Sequence, residues 1–600
     1  MPEVDPAVIV LATIAISLIL FVTERVRYDL IAIGVAVVMA GTGVLRPKEA
    51  FAGFSSPAVM LVAGMYVFGA AFTRWGIAEA LGAKVLGGSG SRTEFSLVIR
   101  IVVLAAVLSS VLSNAGVVAI LIPVLSGVAR REDIAVSKLL MPLAYGSLLG
   151  GLLSVVATSK NLAVNGIVAD SGHEPLELFE FSHYGLILMV VGTLYFVFLG
   201  RHLLPAKRGE SSLTEHYQVK RFVTEVLIEP NSTLINRSVA DAAVFGNYDV
   251  SVIGIVRPDS NSVLAPGPYN RIRRDDVLIL QGEPGDILRL RSEQSLPLVP
   301  SAKVDDAELV SGDVSLVEAV VPSRSPLDGH TLRETDFVER TGLNVLAISK
   351  HGRVQPSRIP DDVLEVGDSL LIQGHDRDLD RIRRTRELIL LDQLETPPIG
   401  RGAMISIVTL VAVLVIGFFG WMPLSVAVMG GALLLLITNS VPAKDLYSVM
   451  DIQALVLIGG MLSLGQGFRV SGLDQQFAAR LSELGGTNSS PYFMVAAILL
   501  GSSILTQVTT HIAAATIMTP VALSIAEEMG VNDRAFIMAV ITGASFAFLS
   551  PVAHPANAMV VGPGDYKYRD FIRVGGPLLV LLLIVAVFLI PALFPLHPEG

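Results

Sequence analysis

The 600-residue sequence contains no cysteine. That excludes disulfides, thiolate metal ligands and thiol nucleophiles, and leaves the compartment open. Charge is the next scarcity. Asp, Glu, Lys and Arg make up 16% of the chain, against roughly a quarter in ordinary soluble proteins. More than half of those charges crowd into residues 205–395, so the flanks, 5–204 and 400–596, run long distances almost without them. No basic tract offers a nucleic-acid surface, and the net charge is −10. Three strings are missing: a Gly-rich dinucleotide fingerprint, a phosphate-binding loop of the ATPase type and a TVGYG filter. Their absence argues against a dinucleotide enzyme, an ATP-driven pump and a potassium channel.

What is present is apolar surface. Apolar residues make up 52% of the chain, and mean hydropathy is +0.63. This composition predicts a polytopic α-helical membrane protein, interrupted by a soluble insert. The expected layout is a membrane half over 1–204, two small α+β domains over 205–299 and 300–395, and a second membrane half over 396–600. The first apolar run, "PAVIVLATIAISLILFV", ends at Glu24-Arg25. It lacks a basic leader and a small-residue cleavage site, so a retained helix is expected. Clear spans are "YGLILMVVGTLYFVFLG" (184–200) and "VGGPLLVLLLIVAVFLIPAL" (574–593). About five or six spans per half are expected, some of them broken.

The two halves resemble each other. "KEAFAGFSSPAVMLVAGMYVFGAAFTRWG" (48–76) aligns with "KDLYSVMDIQALVLIGGMLSLGQGFRVSG" (444–472) at an offset of 396. The pairs Lys48/Lys444, Gly64/Gly460, Met65/Met461, Gly69/Gly465, Phe72/Phe468 and Gly76/Gly472 coincide, and Asn161 falls on Asn557. "SNAGVVAILIPV" (113–124) pairs with "THIAAATIMTPV" (510–521) after a one-residue gap. Repeated membrane halves are the sequence mark of a secondary transporter, and the topology is inverted if each half crosses an odd number of times. Polar interruptions at corresponding places then mark the site. There are two such pairs. One is Ser113-Asn114 with Thr510-His511, each preceding a proline, Pro123 or Pro520. The other is "TSKN" (158–161) with "HPAN" (554–557). An isolated polar residue in a membrane helix more often serves interhelical hydrogen bonding. Two motifs recurring in register favour function.

These stretches resemble the divalent anion:sodium symporter family, in the branch with a central regulatory insert. "LSNAGVVAILIPV" and "TTHIAAATIMTPVALSIA" resemble the family's re-entrant hairpin tips. "ATSKNLAVNG" and "SPVAHPANAMVVGPGDYKYRDFIRVGGP" resemble its two later loops. The resemblance implies a homodimer in the lipid bilayer whose moving domain carries a small anion, sulfate or a dicarboxylate, by an elevator motion. It implies substrate contacts at Ser113, Asn114, Ala115, Thr510, His511 and Ile512. It implies a cation or coupling site at Thr158, Ser159, Lys160, Asn161, His554 and Asn557, with sodium near Ser113, Asn114, Asn161, Thr510 and Asn557. The chain departs from the family pattern at Ala115, His511, Lys160 and Ala556.

Lys160 is the only charged residue between Lys138 and Asp170. A buried ammonium costs several kcal/mol unless it is paired or wetted. Three roles compete. Lys160 snorkels to water or pairs with a carboxylate; or it binds the anion directly; or its three donors fill a sodium site. The third role would reduce sodium dependence, or couple transport to a proton. His511 and His554 can relay protons or contact an anion; in the plainer reading each is neutral and donates to a carbonyl. Asp451, at the start of "IQALVLIGGML", and its counterpart Ser55 are expected to be helix N-caps.

The insert repeats within itself. "EVLIEPNSTLINRSV" (225–239) resembles "EAVVPSRSPLDGHTL" (318–332), and both copies end in a "D…LIxQG" pattern at an offset of 92–93. Each copy resembles the TrkA-C (RCK-C) subdomain of potassium-conductance regulators. That resemblance implies a regulatory sensor, for a nucleotide or cyclic dinucleotide, or a dimerisation module that binds nothing. Arg271, Arg273 and Arg274 either meet phosphates or form a solvated turn with Asp275-Asp276. Arg201, Lys207, Arg208 and Arg401 near span ends place residues 205–395 in the cytosol and the protein in the cell membrane, multi-pass. The expectation is therefore a non-enzymatic secondary anion transporter, with a ligand-gated channel as the alternative.

Overall fold

The computed structural model describes residues 5–23, 26–86, 94–132, 134–205, 223–230, 232–239, 250–257, 263–264, 270–281, 287, 289–290, 296–297, 314–323, 325–350, 353–355, 359–385, 387–391, 400–473, 475–476, 490–551 and 553–597. The expected domain junctions at 205, 299/300 and 395/396 fall at or within the undescribed stretches, and Glu24-Arg25 lies outside the described residues.

The apolar runs of both flanks form helices. Among the described residues five are long and apolar enough to cross a bilayer: Pro57–Arg74, Ser182–Leu203, Arg401–Phe418, His511–Met529 and Tyr568–Leu593. The span expected at 184–200 continues its α-helix as a π-helical turn, Phe196–Gly200. The one expected at 574 begins earlier, at Tyr568, because the Lys567 N–H donates to Asp570 Oδ2 at 2.9 Å and closes a cap upstream of the apolar run. Burial separates interior from rim. The apolar window of His511–Met529 is 72% buried, whereas those of Arg401–Phe418 and Tyr568–Leu593 are 33% buried. Their outward side chains, Phe418 and Phe588 among them, are exposed, as hydrocarbon-facing residues must be.

Packing is crosswise. Helix Tyr28–Gly41 packs on Ile452–Val470, and Pro57–Arg74 packs on Leu424–Ile437. Asp451 caps its helix by accepting the Ala454 N–H at 3.0 Å. The expected cap Ser55 is corrected to Ser56, whose Oγ accepts the Val59 N–H at 3.3 Å, while Ser55 Oγ donates to the Ala52 carbonyl. Pro57 fixes the first helical position there, which moves the cap one residue on. Tyr145 Oη donates to the Phe548 carbonyl at 2.7 Å, tying helix Ser137–Gly150 to the C-terminal flank.

The central region forms two antiparallel sheets. One has the order Val223–Leu227, Val277–Gln281, Ser251–Val256, Val263–Leu264. The other has Arg353–Gln355, Asn344–Lys350, Ser369–His375, Val314–Val320, Ile389–Leu390. Read outward from Val223–Leu227 and from Val314–Val320, the four-strand order is the same. Each carries an irregularity in its second strand, between Val252 and Gly254 and between Val345 and Ala347. The arginine cluster lies on a turn: the Arg273 N–H donates to Asp276 Oδ2 at 2.7 Å, and exposed Arg274 lies 3.4 Å from Asp275.

Asp368 is buried in the matching turn of the second sheet, where its Oδ2 accepts the Glu365 N–H at 2.9 Å. Burial pushes its carboxyl up to about 7, against the pull of that hydrogen bond and of Lys350. An unfolded Asp titrates near about 3.9. The folded state therefore binds more protons between those values, and stability falls as pH rises from about 4 to about 7, then levels off. In thermal unfolding of the full chain at four pH values across that window, Asp368→Asn is expected to flatten the slope. An unchanged slope in the variant would remove Asp368 as its source.

Candidate functional site

Two interrupted helices and two unwound loops converge. Ser113 ends the turn after helix Glu94–Ser109 and caps Asn114–Arg131, its Oγ accepting the Gly116 N–H at 3.2 Å. Thr510 does the same for His511–Met529, accepting the Ala513 N–H at 3.3 Å. Both caps have extended backbones, ψ 140 and 148°, as N-caps require. The loops begin their helices in matching fashion, Thr158 at φ −143°, ψ 146° and His554 at φ −153°, ψ 135°.

The two asparagines make the same clasp. Asn161 Nδ2 donates to the carbonyls of Gly151 at 2.8 Å and Ser154 at 3.1 Å. Asn557 Nδ2 donates to those of Ala547 at 2.6 Å and Ser550 at 3.1 Å. The spacing is ten and seven residues upstream in both cases. Each clasp closes an unwound segment inside the apolar interior, where loose carbonyls are costly. A second tie joins each loop to the preceding hairpin. Ser154 Oγ donates to the Ser110 carbonyl at 2.6 Å. Gln507 Nε2 donates to the Phe546 carbonyl at 2.6 Å, and its Oε1 accepts the Leu549 N–H at 3.2 Å. Sequence reasoning missed Ser110, Ser154, Gln507 and Ser550. Ser154 and Ser550 stand at the 396 offset and were within its reach.

The clasps differ at one atom. Lys160 is buried, and its Nζ donates to Thr158 Oγ1 at 3.0 Å and Asn161 Oδ1 at 2.9 Å. Among the described residues it has no carboxylate partner, so the expectation of a snorkelling or carboxylate-paired lysine is corrected. Ala556 occupies the equivalent place in the second clasp, and Asn557 Oδ1 there is buried without a hydrogen-bond partner. Asn114 Oδ1 is likewise buried and unpartnered. A buried unpaired acceptor costs about 1–3 kcal/mol, so each of these oxygens has capacity for a donor or a cation.

The tip helices and loop helices cross over. Asn114–Arg131 packs on Pro555–Val561, and His511–Met529 packs on Ser159–Asp170. Asn114 lies beside the first loop: a Cβ on Gly151 would be 3.7 Å from Asn114 Nδ2. The rings of His511 and His554 are 4.7 Å apart. His554 Nδ1 accepts the Ala556 N–H at 3.1 Å. That bond makes His554 the cap of its helix, and in the neutral ring it assigns the proton to Nε2, which stays a donor. Ile512 is buried, Ala115 and Ser159 are half-buried, and Ser113 is exposed at its tip. The locus therefore combines one ammonium, two imidazoles, amide and carbonyl oxygens, and hydroxyls. It offers a cationic partner for an anion and hard oxygen ligands for a small cation.

Residues 18–526 match the family described as citrate transporter, CitMHS. The uncharacterized transporter sll0640 of Synechocystis sp. is 30% identical over 603 residues, spanning 98% of this chain and 97% of that one. Sodium/sulfate cotransporter 2 of Chlamydomonas reinhardtii is 26% identical over 379 residues, 62% of this chain and 43% of that protein. The crystal structure of the Alcanivorax borkumensis YdaH transporter aligns over 97% of this chain and all of that one, with 12% identity and a TM-score of 0.45. The chain belongs to the CitMHS citrate transporter family, and is accordingly a membrane transporter rather than an enzyme.

Proposed function

We propose that the chain is a secondary active transporter of a small divalent anion, sulfate or a dicarboxylate. Its site lies between two repeated, inverted halves, and it is coupled to a cation at the second clasp. Lys160 stands in for a cation at the first. The observation that carries this reading is the paired clasp: the same two carbonyl bonds on Asn161 and Asn557, with the amide oxygen filled by an ammonium in one and orphaned in the other. Sodium suits the orphaned oxygens of Asn114 and Asn557, which are hard neutral ligands with hydroxyls nearby. The anion meets Lys160 as a point charge, together with the tip residues Ser113, Thr510 and His511. No arginine sits in either motif to demand a bidentate carboxylate, which favours sulfate. The reading extends to an elevator-type homodimer with two tandem TrkA-C-like domains at 205–395 in the cytosol. These stand on the resemblance and on the cationic span ends.

A thermal-shift screen tests it. A ligand that binds only the native state raises the unfolding temperature. Purified protein is expected to be stabilised by sulfate more than by succinate or citrate, and more in sodium than in choline at equal ionic strength. No shift with any of the three anions would overturn the substrate assignment. Equal shifts in sodium and choline would overturn the cation at the second clasp.

A further inference from the structure

The second sheet of the insert rests on the helix that carries Asn557. A Cβ on Gly367 would lie 2.0 Å from the Ala558 carbonyl oxygen and 2.7 Å from its carbonyl carbon. A Cβ on Gly562 would lie 2.3 Å from Ser369 Oγ and 2.4 Å from the Gly367 carbonyl oxygen. Side chains do not occupy such positions, so these two backbones approach only because both residues are glycine. The contact is anchored on the insert side. The Gly367 N–H donates to the Val321 carbonyl at 2.9 Å, and the Val321 N–H donates to the Asp368 carbonyl at 3.0 Å. Val320 and Leu391, with half-buried Val366 and Ile389, join the same apolar cluster as the membrane helices. Strand Ile389–Leu390 packs against Asn114–Arg131. One small sheet thus touches both helices that carry the unpartnered asparagines.

The first sheet builds the same turn and leaves it free of this role. Asp276 Oδ2 accepts the Arg273 N–H, and the Ile228 N–H donates to the Asp276 carbonyl at 2.9 Å. Its tip, however, is Arg274-Asp275, charged and exposed, where the second sheet has Val366-Gly367. We infer that the 365–369 turn is a positioning element for the transport site, holding helix Pro555–Val561 and with it the Asn557 clasp, so that a change in the insert is felt at the site. The inference rests on Asn557 being a site residue. Pro555–Val561 has seven residues, too few to be stable alone. Its N-terminal end is tied by the Asn557 clasp and its C-terminal end by the turn, so displacing the turn tilts the helix about the clasp.

The test uses full-length protein in detergent, with amide hydrogen exchange read by mass spectrometry and sulfate uptake measured in proteoliposomes. Gly562→Ala and Val366→Arg are the two variants. The first adds a methyl group at the contact from the membrane side. The second installs the residue that the first sheet carries at the same turn position, so the turn itself tolerates it. Gly342→Ala is the control. Its φ of +74° brings backbone strain just before strand Asn344–Lys350, at the end of the second sheet away from the turn, with only Asp378 Oδ2 near its Cβ, at 3.4 Å. Both variants are expected to speed exchange over 555–562 at least tenfold and to raise the sulfate concentration for half-maximal uptake severalfold, with the control unchanged. Wild-type protection over 555–562 in Val366→Arg, with faster exchange confined to the turn, overturns the inference. The same holds if the control behaves like the variants. Absence of sulfate uptake in the wild type would instead count against the proposed substrate and leaves the exchange result standing.

Discussion

Asn161→Ala and Asn557→Ala are each expected to lower uptake at least a hundredfold while the protein still inserts and purifies. Each side chain donates to two carbonyls of an unwound segment. Truncation leaves both carbonyls unpaired in an interior without bulk water, at about 1–3 kcal/mol each. The chain around 151–158 or 547–554 then loses the geometry that aims its groups at the site. A shift of about an ångström in a positioned group is enough for a hundredfold loss. Aspartate at either position retains an acceptor but loses the Nδ2 donors, so Asn557→Asp should fail nearly as badly. Uptake near the wild-type rate in both alanine variants would sink the site assignment. A loss of folding, seen as early aggregation on size exclusion and loss of a cooperative unfolding transition, is distinct from a folded variant that keeps the transition and loses only its shift with sulfate.

Lys160 carries the second large effect. Its ammonium satisfies Thr158 Oγ1 and Asn161 Oδ1 and is buried without a carboxylate partner among the described residues. Lys160→Met removes the charge, keeps most of the volume and leaves Asn161 Oδ1 orphaned, as Asn557 Oδ1 already is. Anion uptake is expected to fall at least tenfold, the scale of losing one charge-assisted contact of about 1.5–3 kcal/mol. Lys160→Thr supplies a hydroxyl in place of the ammonium and makes the first clasp more like the second in charge. Its uptake is expected to gain sodium dependence, with a steeper sodium response than wild type. If Lys160→Thr transports with an unchanged sodium response, the lysine is not a cation surrogate. If Lys160→Met transports at the wild-type rate, it is not an anion contact either.

How far the sequence reached can be judged residue by residue. The 396 offset puts Asn161 on Asn557, and in the structure each donates to two carbonyls at the same upstream spacing. Such a feature is legible because a clasp ten and seven residues long is local, and a local constraint leaves its mark in a short motif. The caps were nearly as legible. Asp451 stands where expected, and Ser55 yielded to Ser56 because Pro57 moved the first turn. His554 was read as a neutral donor. Only the backbone path after it, with Pro555 opening the helix, turns Nδ1 towards the Ala556 N–H.

By itself the sequence determined the membrane character, the doubled polar motifs and the isolated charge of Lys160 within an apolar stretch. Hydropathy, spacing and charge are properties of the chain in order. The tertiary structure decided what those groups meet. It packed the His511 helix on the Lys160 helix and the Asn114 helix on the Asn557 helix. It left Asn114 Oδ1 and Asn557 Oδ1 without partners, and it seated Gly367 against Ala558. These are contacts between segments up to several hundred residues apart, set by which apolar faces bury each other. No window of sequence holds both sides of such a contact.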